Sequence, residues 1–232
     1  MGEHAKHRFL VVLAAIWLAA APAAARDCRI ALSLGLDVSS SVDPREYALQ
    51  LGGLSAALRD PEVVAAFLAV PRTEVALHVF EWSGRRQQQV AIDWVWIADE
   101  ADLAAVAARL DAHRRSFSRH ATAIGQAILF GAEALARRPE CAELKLDISG
   151  DGETNDGVSP AIARRSPLLD RVTINGLVIG VTRRILRAHY ETFVIHGPGA
   201  FVEMADDHAD FSRAMRRKLV RELQPKAVSV LR

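Results

Sequence analysis

Ile30-Ala31-Leu32-Ser33-Leu34-Gly35-Leu36-Asp37-Val38-Ser39-Ser40-Ser41 is a short, nearly unbroken apolar run that ends on an aspartate and turns into three hydroxyl side chains. A strand buried on both faces of a parallel sheet reads this way. Asp, Ser, Thr and Gly are also the residues of ordinary turns, so the segment alone says little. Two further segments change its weight: the isolated Thr122 at the start of a helical pattern, and Ser149-Gly150-Asp151-Gly152 at the end of a strand-like stretch, Leu144 to Ser149. In each of the three, small oxygen-bearing residues follow a buried strand or open a helix, and together they read as one divalent-metal site.

Around these points strand and helix patterns alternate. Asp43-Pro44-Arg45-Glu46 is a helix start with a capping aspartate, a first-turn proline and a glutamate three residues on. Tyr47, Leu51, Leu54 and Leu58 give that helix one apolar face, and a shorter helix is expected over Glu62 to Ala69. Glu74 to Trp82 and Gln89 to Ile97 flank Ser83-Gly84-Arg85-Arg86 as a hairpin. Helices are expected over Asp99 to His113, Thr122 to Arg138, Ser159 to Ser166, Thr182 to Tyr190 and Asp207 to Leu223, with strands over Val172 to Gly180 and Ala200 to Met204. The pattern predicts a three-layer, Rossmann-like, doubly wound α/β domain: a mostly parallel six-stranded sheet with one antiparallel edge strand and helices on both faces.

The first residues lie outside that pattern. Lys6 and Arg8 precede the uncharged run Phe9 to Ala21, and Ala23-Ala24-Ala25 follows, which is the form of a secretory signal cleaved after Ala25. The expected organisation is a signal peptide at 1–25, one domain at 26–225 and a short tail at 226–232. The run is shorter than the roughly 20 residues a membrane span needs, and no later segment qualifies. The product is then exported, to the periplasm or beyond it. Of the 232 residues half are apolar and a quarter charged, and the formal net charge of +1 falls to neutrality without the signal, which gives no reason to expect nucleic acid. Nothing in the chain calls for more than a monomer.

Cys28 and Cys141 are the two cysteines. They stand nine residues before Asp37 and ten before Asp151, so if the two strands run side by side both sulfurs lie at the same height on the opposite sheet edge. A disulfide is the expectation in an oxidising compartment, two free structural thiols the alternative.

In an open parallel sheet ligands bind beyond the carboxyl ends of the strands, where strand order reverses. If the first and fourth strands are neighbours, Asp37, Ser39, Ser41, Thr122 and Asp151 meet there. They offer only oxygen, which suits Mg²⁺, or Mn²⁺ or Ca²⁺, better than Zn²⁺. Three neutral hydroxyls leave a bound cation much of its charge, so an outside carboxylate would complete its shell.

This set resembles the von Willebrand factor type A domain with its metal-ion-dependent adhesion site. The Asp-x-Ser-x-Ser pattern falls on Asp37, Ser39 and Ser41, the threonine on Thr122, and the strand-terminal Asp-Gly on Asp151 and Gly152. Glu81-Trp82-Ser83-Gly84, Asp147 to Gly152, Gly197-Pro198-Gly199-Ala200 and the Arg-rich last helix also resemble an uncharacterised group of bacterial exported proteins of that fold. The resemblance implies a metal-dependent binding module. The chain departs from it in having His120-Ala121 before Thr122, where a glycine is expected.

Several residues carry two readings. Glu81 is an outer acceptor for metal-bound water or an exposed strand-end charge. Asp147 is a structural carboxylate or an outer-shell group. Glu153, Asn155 and Asp156 read as turn residues, with outer-shell support of the metal the alternative. His113, Arg114, Arg115, Arg119 and His120, with Arg85 and Arg86, form a basic rim or a solvated loop. Arg213, Arg216, Arg217, Lys218 and Arg221 read as a solvent-facing row, with membrane contact the alternative. An EF-hand reading of 147–158 fails on Val158 in the glutamate position. No nucleophile elbow or Lys-bearing phosphate loop is present. The leading expectation is therefore an exported, non-enzymatic module whose metal captures an acidic side chain of a protein partner. The alternatives are a metal-dependent phosphoester hydrolase using Glu81, Asp147 or His120, or a structural domain with a degenerate site.

Overall fold

The apolar run after Cys28 and the strand-like stretch Leu144 to Ser149 become the two central strands of a six-stranded sheet. The computed structural model describes residues 27–180 and 183–225; the expected signal peptide and C-terminal tail lie outside them. Strand β1 (Cys28–Asp37) pairs in parallel with β2 (Glu74–Trp82) on one side and β4 (Glu143–Gly150) on the other. β3 (Gln88–Ile97) closes one edge antiparallel to β2, and β5 (Val172–Ile179) and β6 (Val202–Ala205) continue beyond β4, giving the order β3-β2-β1-β4-β5-β6. Strand order thus reverses between β1 and β4, which is where a ligand crevice is expected.

Alternation along β1 splits the core in two. Ile30, Leu32, Leu34 and Leu36 face α1 (Pro44–Leu58), α2 (Pro61–Phe67), α3 (Glu100–Ala112) and α7 (Phe211–Leu223). Ala31 lies in the other cluster, beneath α4 (Ile124–Leu135), α5 (Pro160–Ala163), α6 (Arg183–His189) and the π-helical turn Tyr190–Val194. Asp43 and Glu46 form the expected capping box of α1, with Pro44 in its first turn; such a cap stabilises by about 1 kcal/mol.

Three expectations are corrected. The helix after Thr122 begins at Ile124, with Ala123 at its N-cap, so Thr122 lies in the approach and not in the helix. The helix expected over 159–166 is a single turn, α5, followed by the 3₁₀ turn Pro167–Leu169, because prolines stand at both starts. Lys218 is not solvent-facing: it is fully buried, with Nζ 2.6 Å from Asp147 Oδ2 and 2.6 Å from Glu222 Oε1.

Asn175 Nδ2 donates to that same Glu222 oxygen at 2.6 Å, and the Lys145 ammonium donates to the Glu222 carbonyl. This network ties α7 to the middle of β4 and β5. Burial pushes Asp147 above the usual carboxylate range, even against the pull of Lys218. Lys218→Met leaves both carboxylates buried without their cation and is expected to cost about 3–5 kcal/mol by urea unfolding; a loss under about 1 kcal/mol would contradict the pairing. Of the rest of the basic row, Arg213 and Arg221 are exposed, as expected, while Arg216 pairs with Glu62 and Arg217 with Glu203.

Candidate metal site

Asp37 ends β1 and Asp151 follows β4, and the pairing of Leu36 with Ser149 brings the two strand ends side by side. Asp37 is completely buried. Its Oδ1 accepts the Ser39 N–H at 2.7 Å, and its carbonyl accepts Gln50 Nε2 at 2.9 Å. Its Oδ2 has no hydrogen-bond partner among the described residues. Ser39 and Ser41, two apart in the turn, bring their Oγ atoms to 3.0 Å, and Ser41 Oγ donates to Asp151 Oδ1 at 2.6 Å. The first and third oxygen-rich segments are thus in direct contact.

Thr122 joins them from the third element. A Cβ placed on Gly152 would lie 3.8 Å from Thr122 Oγ1, so Gly152 passes directly beside the hydroxyl. The backbone of Thr122 is held on both sides: its N–H donates to Asn155 Oδ1 at 2.8 Å, and its carbonyl accepts the N–H groups of Asn155 at 2.9 Å and Asp156 at 3.2 Å. The His120-Ala121 approach needs no glycine. Its carbonyls accept Ser40 N–H at 2.8 Å and Ser83 Oγ at 3.0 Å, and the left-handed residue in this stretch is Arg119, with φ 64°.

The electrostatics are set by burial and by the neighbouring carboxylate. Burial first, and then the charge of Asp151, push Asp37 up to about 7, while the Ser39 N–H and hydroxyl and the nearby Arg115 pull it down. Arg115 does not reach the carboxylate; its guanidinium donates to the carbonyls of Val38 and Ser39 at 2.8 and 3.0 Å. An unpartnered carboxylate oxygen, the hydroxyl pair of buried Ser39 and exposed Ser41, and no third His, Cys, Asp or Glu among the described residues make a hydroxyl-rich oxygen set. That donor chemistry fits a hard divalent cation.

Glu81 and Asp147 are engaged by other partners. Glu81 is fully buried, so it is not an exposed strand-end charge; its oxygens accept Tyr47 Oη and Ser116 N–H, each at 2.7 Å, with His113 Nε2 at 3.2 Å. It anchors the loop that carries Arg115. Asp147, within β4, turns to Lys218 on the α7 face. Asp156 does more than turn the chain: Arg85 Nε donates to it at 2.8 Å, joining the hairpin loop to the segment after Asp151.

Tyr190 is the residue that sequence reading misses, since a tyrosine in a helical stretch carries no signature of such a role. It is fully buried with its hydroxyl unpartnered among the described residues, and a Cβ on Gly150 would lie 2.7 Å from that Oη and 3.0 Å from Asp37 Oδ2. Only glycine at 150 lets the hydroxyl and the carboxylate approach the same space. Burial, and then Asp37 and Asp151, raise the phenol's pKa, so it remains a donor. Tyr190→Phe is expected to leave metal-free stability almost unchanged and to weaken Mg²⁺ binding about tenfold by calorimetry, the scale of losing an outer-shell partner. Unaltered affinity would remove Tyr190 from the site.

Residues 27–227 match the family described as protein of unknown function, DUF1194. No curated protein matches the chain. Among solved structures, proximal thread matrix protein 1 from the mussel byssus superposes with TM-score 0.63 and 17% identity over 85% of this chain and 48% of that one. Another structure of that protein has a zinc-occupied MIDAS motif. A von Willebrand factor type A protein from Catenulispora acidiphila gives TM-score 0.57 and 15% identity, covering 85% of this chain and 43% of the other. Manganese-loaded Plasmodium vivax TRAP protein gives 0.53 and 15%, covering 85% and 74%. The chain spans about half the length of the first two. The fold is that of von Willebrand factor type A domains.

Proposed function

Because the chain belongs to the DUF1194 family, whose description assigns no activity, we propose its function from the site itself: an exported, non-enzymatic binding module that captures an acidic side chain of a protein partner through a divalent metal. Asp37, Ser39, Ser41, Thr122 and Asp151 would hold the ion, Mg²⁺ or alternatively Mn²⁺ or Ca²⁺. The carrying observation is the direct Ser39–Ser41–Asp151 contact beside the unpartnered Asp37 oxygen. A divalent cation held by three neutral hydroxyls and two carboxylates carries no net negative charge, unlike one held by three or more carboxylates, and so still accepts a further anionic oxygen.

The metals named for the byssus and TRAP structures support this reading, as proteins of the same fold that carry divalent ions. Export is supported by the Cys28–Cys141 disulfide, since such bonds persist in oxidising compartments. Among the described residues no helix is long and apolar enough to cross a membrane.

The hydrolase reading needs a base near the metal, and its candidates are committed elsewhere: Glu81 to Tyr47 and Ser116, Asp147 to Lys218. His120 is exposed, edge-on to Phe117. Capture from envelope extract, with and without chelator, tests the binding reading. Retention is expected only with Mg²⁺, and to vanish when the extract's carboxylates are amidated; retention indifferent to both treatments overturns it. Turnover of p-nitrophenyl phosphate that is lost in Asp151→Ala would replace it with hydrolysis.

A further inference from the structure

We infer that the metal edge is one half of a two-part docking surface, whose other half is an apolar groove for an aliphatic side chain flanking the partner's acidic residue. The inference rests on the metal-capture reading and adds the class of partner. Asp151, Gly152, Glu153, Ile185 and Leu186 line a shallow cavity of about 240 Å³. Asp151 therefore belongs to both halves, and a segment bound through its carboxylate at the metal passes over the groove with its neighbouring residue.

The wall of this groove is unusual for a soluble surface. Ile185 is 70% exposed, the most exposed large apolar side chain among the described residues, whereas the adjoining Leu186 is buried and fixes α6 to the core. A single exposed isoleucine needs no explanation by itself. Here it stands beside the one strand end where chain reversal and oxygen donors converge. Phe193, 42% exposed and 5.3 Å from the His189 ring, extends the apolar surface along the same helical segment.

Charge selects the occupant. Exposed Arg114 and Arg119 lie in the loop whose His120 carbonyl holds Ser40, so they favour an acidic group at the metal. The groove's lining carries two carboxylates, Asp151 at its metal end and Glu153, 4.0 Å from His189 Nδ1, with exposed Arg184 preceding Ile185 outside the lining. A second acidic residue would meet those carboxylates, and an aliphatic one would meet Ile185. The surface fits a protein segment with one Asp or Glu next to Leu, Ile, Val or Met, and not a polyacidic stretch.

The test is titration of the purified protein, with Mg²⁺ in excess, with three blocked tripeptides: Gly-Glu-Gly, Leu-Glu-Gly and Gly-Glu-Leu. Partial burial of a leucine side chain corresponds to an affinity gain of about fivefold or more, so one leucine peptide is expected to bind at least that much tighter than Gly-Glu-Gly. Ile185→Ser, at an exposed position, is expected to erase the gain while Mg²⁺ and Gly-Glu-Gly binding stay the same. Equal affinities for all three peptides, or a gain that survives Ile185→Ser, overturn the groove alone. Mg²⁺ binding with no peptide binding overturns carboxylate capture and the groove together, and absent Mg²⁺ binding removes the metal reading beneath both.

Discussion

Asp37→Asn is expected to stabilise the metal-free protein and to abolish its stabilisation by Mg²⁺. The side chain is buried, one oxygen accepts a single backbone hydrogen bond, and the other has no partner among the described residues. Burial and Asp151 hold its pKa up to about 7 in the fold, against an ordinary value of 3.8. The folded state therefore binds the proton more tightly than the unfolded chain, and stability falls as pH rises from about 4 through about 7. Above that window the ionised carboxylate costs on the order of 2–4 kcal/mol. Asparagine keeps the shape and removes the charge.

At pH 8 without metal the variant should melt about 4 °C or more above the wild type, and the difference should close toward pH 4. Saturating Mg²⁺ at about a hundred times its dissociation constant should return about 2.7 kcal/mol to the wild type and nothing to the variant. A metal-free variant less stable than wild type would refute the desolvation argument, and a retained Mg²⁺ shift would remove Asp37 from the site.

Serine at both Cys28 and Cys141 is expected to cost about 4–5 kcal/mol, because the Cys28–Cys141 disulfide closes a 113-residue separation and restricts the unfolded chain accordingly. Melting should fall on the order of 10 °C. Cys28 starts the strand that Asp37 ends, so the bridge pins the far edge of the sheet. The Mg²⁺ increment in melting should therefore persist in the double variant while it remains folded. A loss under about 1 kcal/mol would mean that the unfolded chain is already confined without the bridge.

The sheet and the meeting of the oxygen-bearing segments at one edge were legible for specific reasons. β1 is buried on both faces and reads as an apolar run ending in Asp37, while β4 reads as Leu144, Leu146 and Ile148 alternating with Lys145 and Asp147; the oxygen donors follow the carboxyl ends of both. The disulfide was legible because two cysteines stood at equal heights on neighbouring strands. Lys218 was not, since a lysine within an arginine-rich row reads as solvated until the positions of Asp147 and Glu222 are known. Glu81 is not the exposed charge its place near the strand end suggested, because strand alternation turns it to the α1 face and into the grip of Tyr47 and Ser116. Tyr190 and Asn155 act through tertiary approach, with no local pattern to mark them.

Crystals of the protein soaked in Mn²⁺, with anomalous diffraction recorded at the manganese edge, test the shared metal site most directly. One strong peak within bonding distance of the Ser39 and Ser41 hydroxyls, beside Thr122 and between Asp37 and Asp151, is the expected result. A peak elsewhere, or none with the Ser41–Asp151 hydrogen bond still intact at millimolar Mn²⁺, would contradict it.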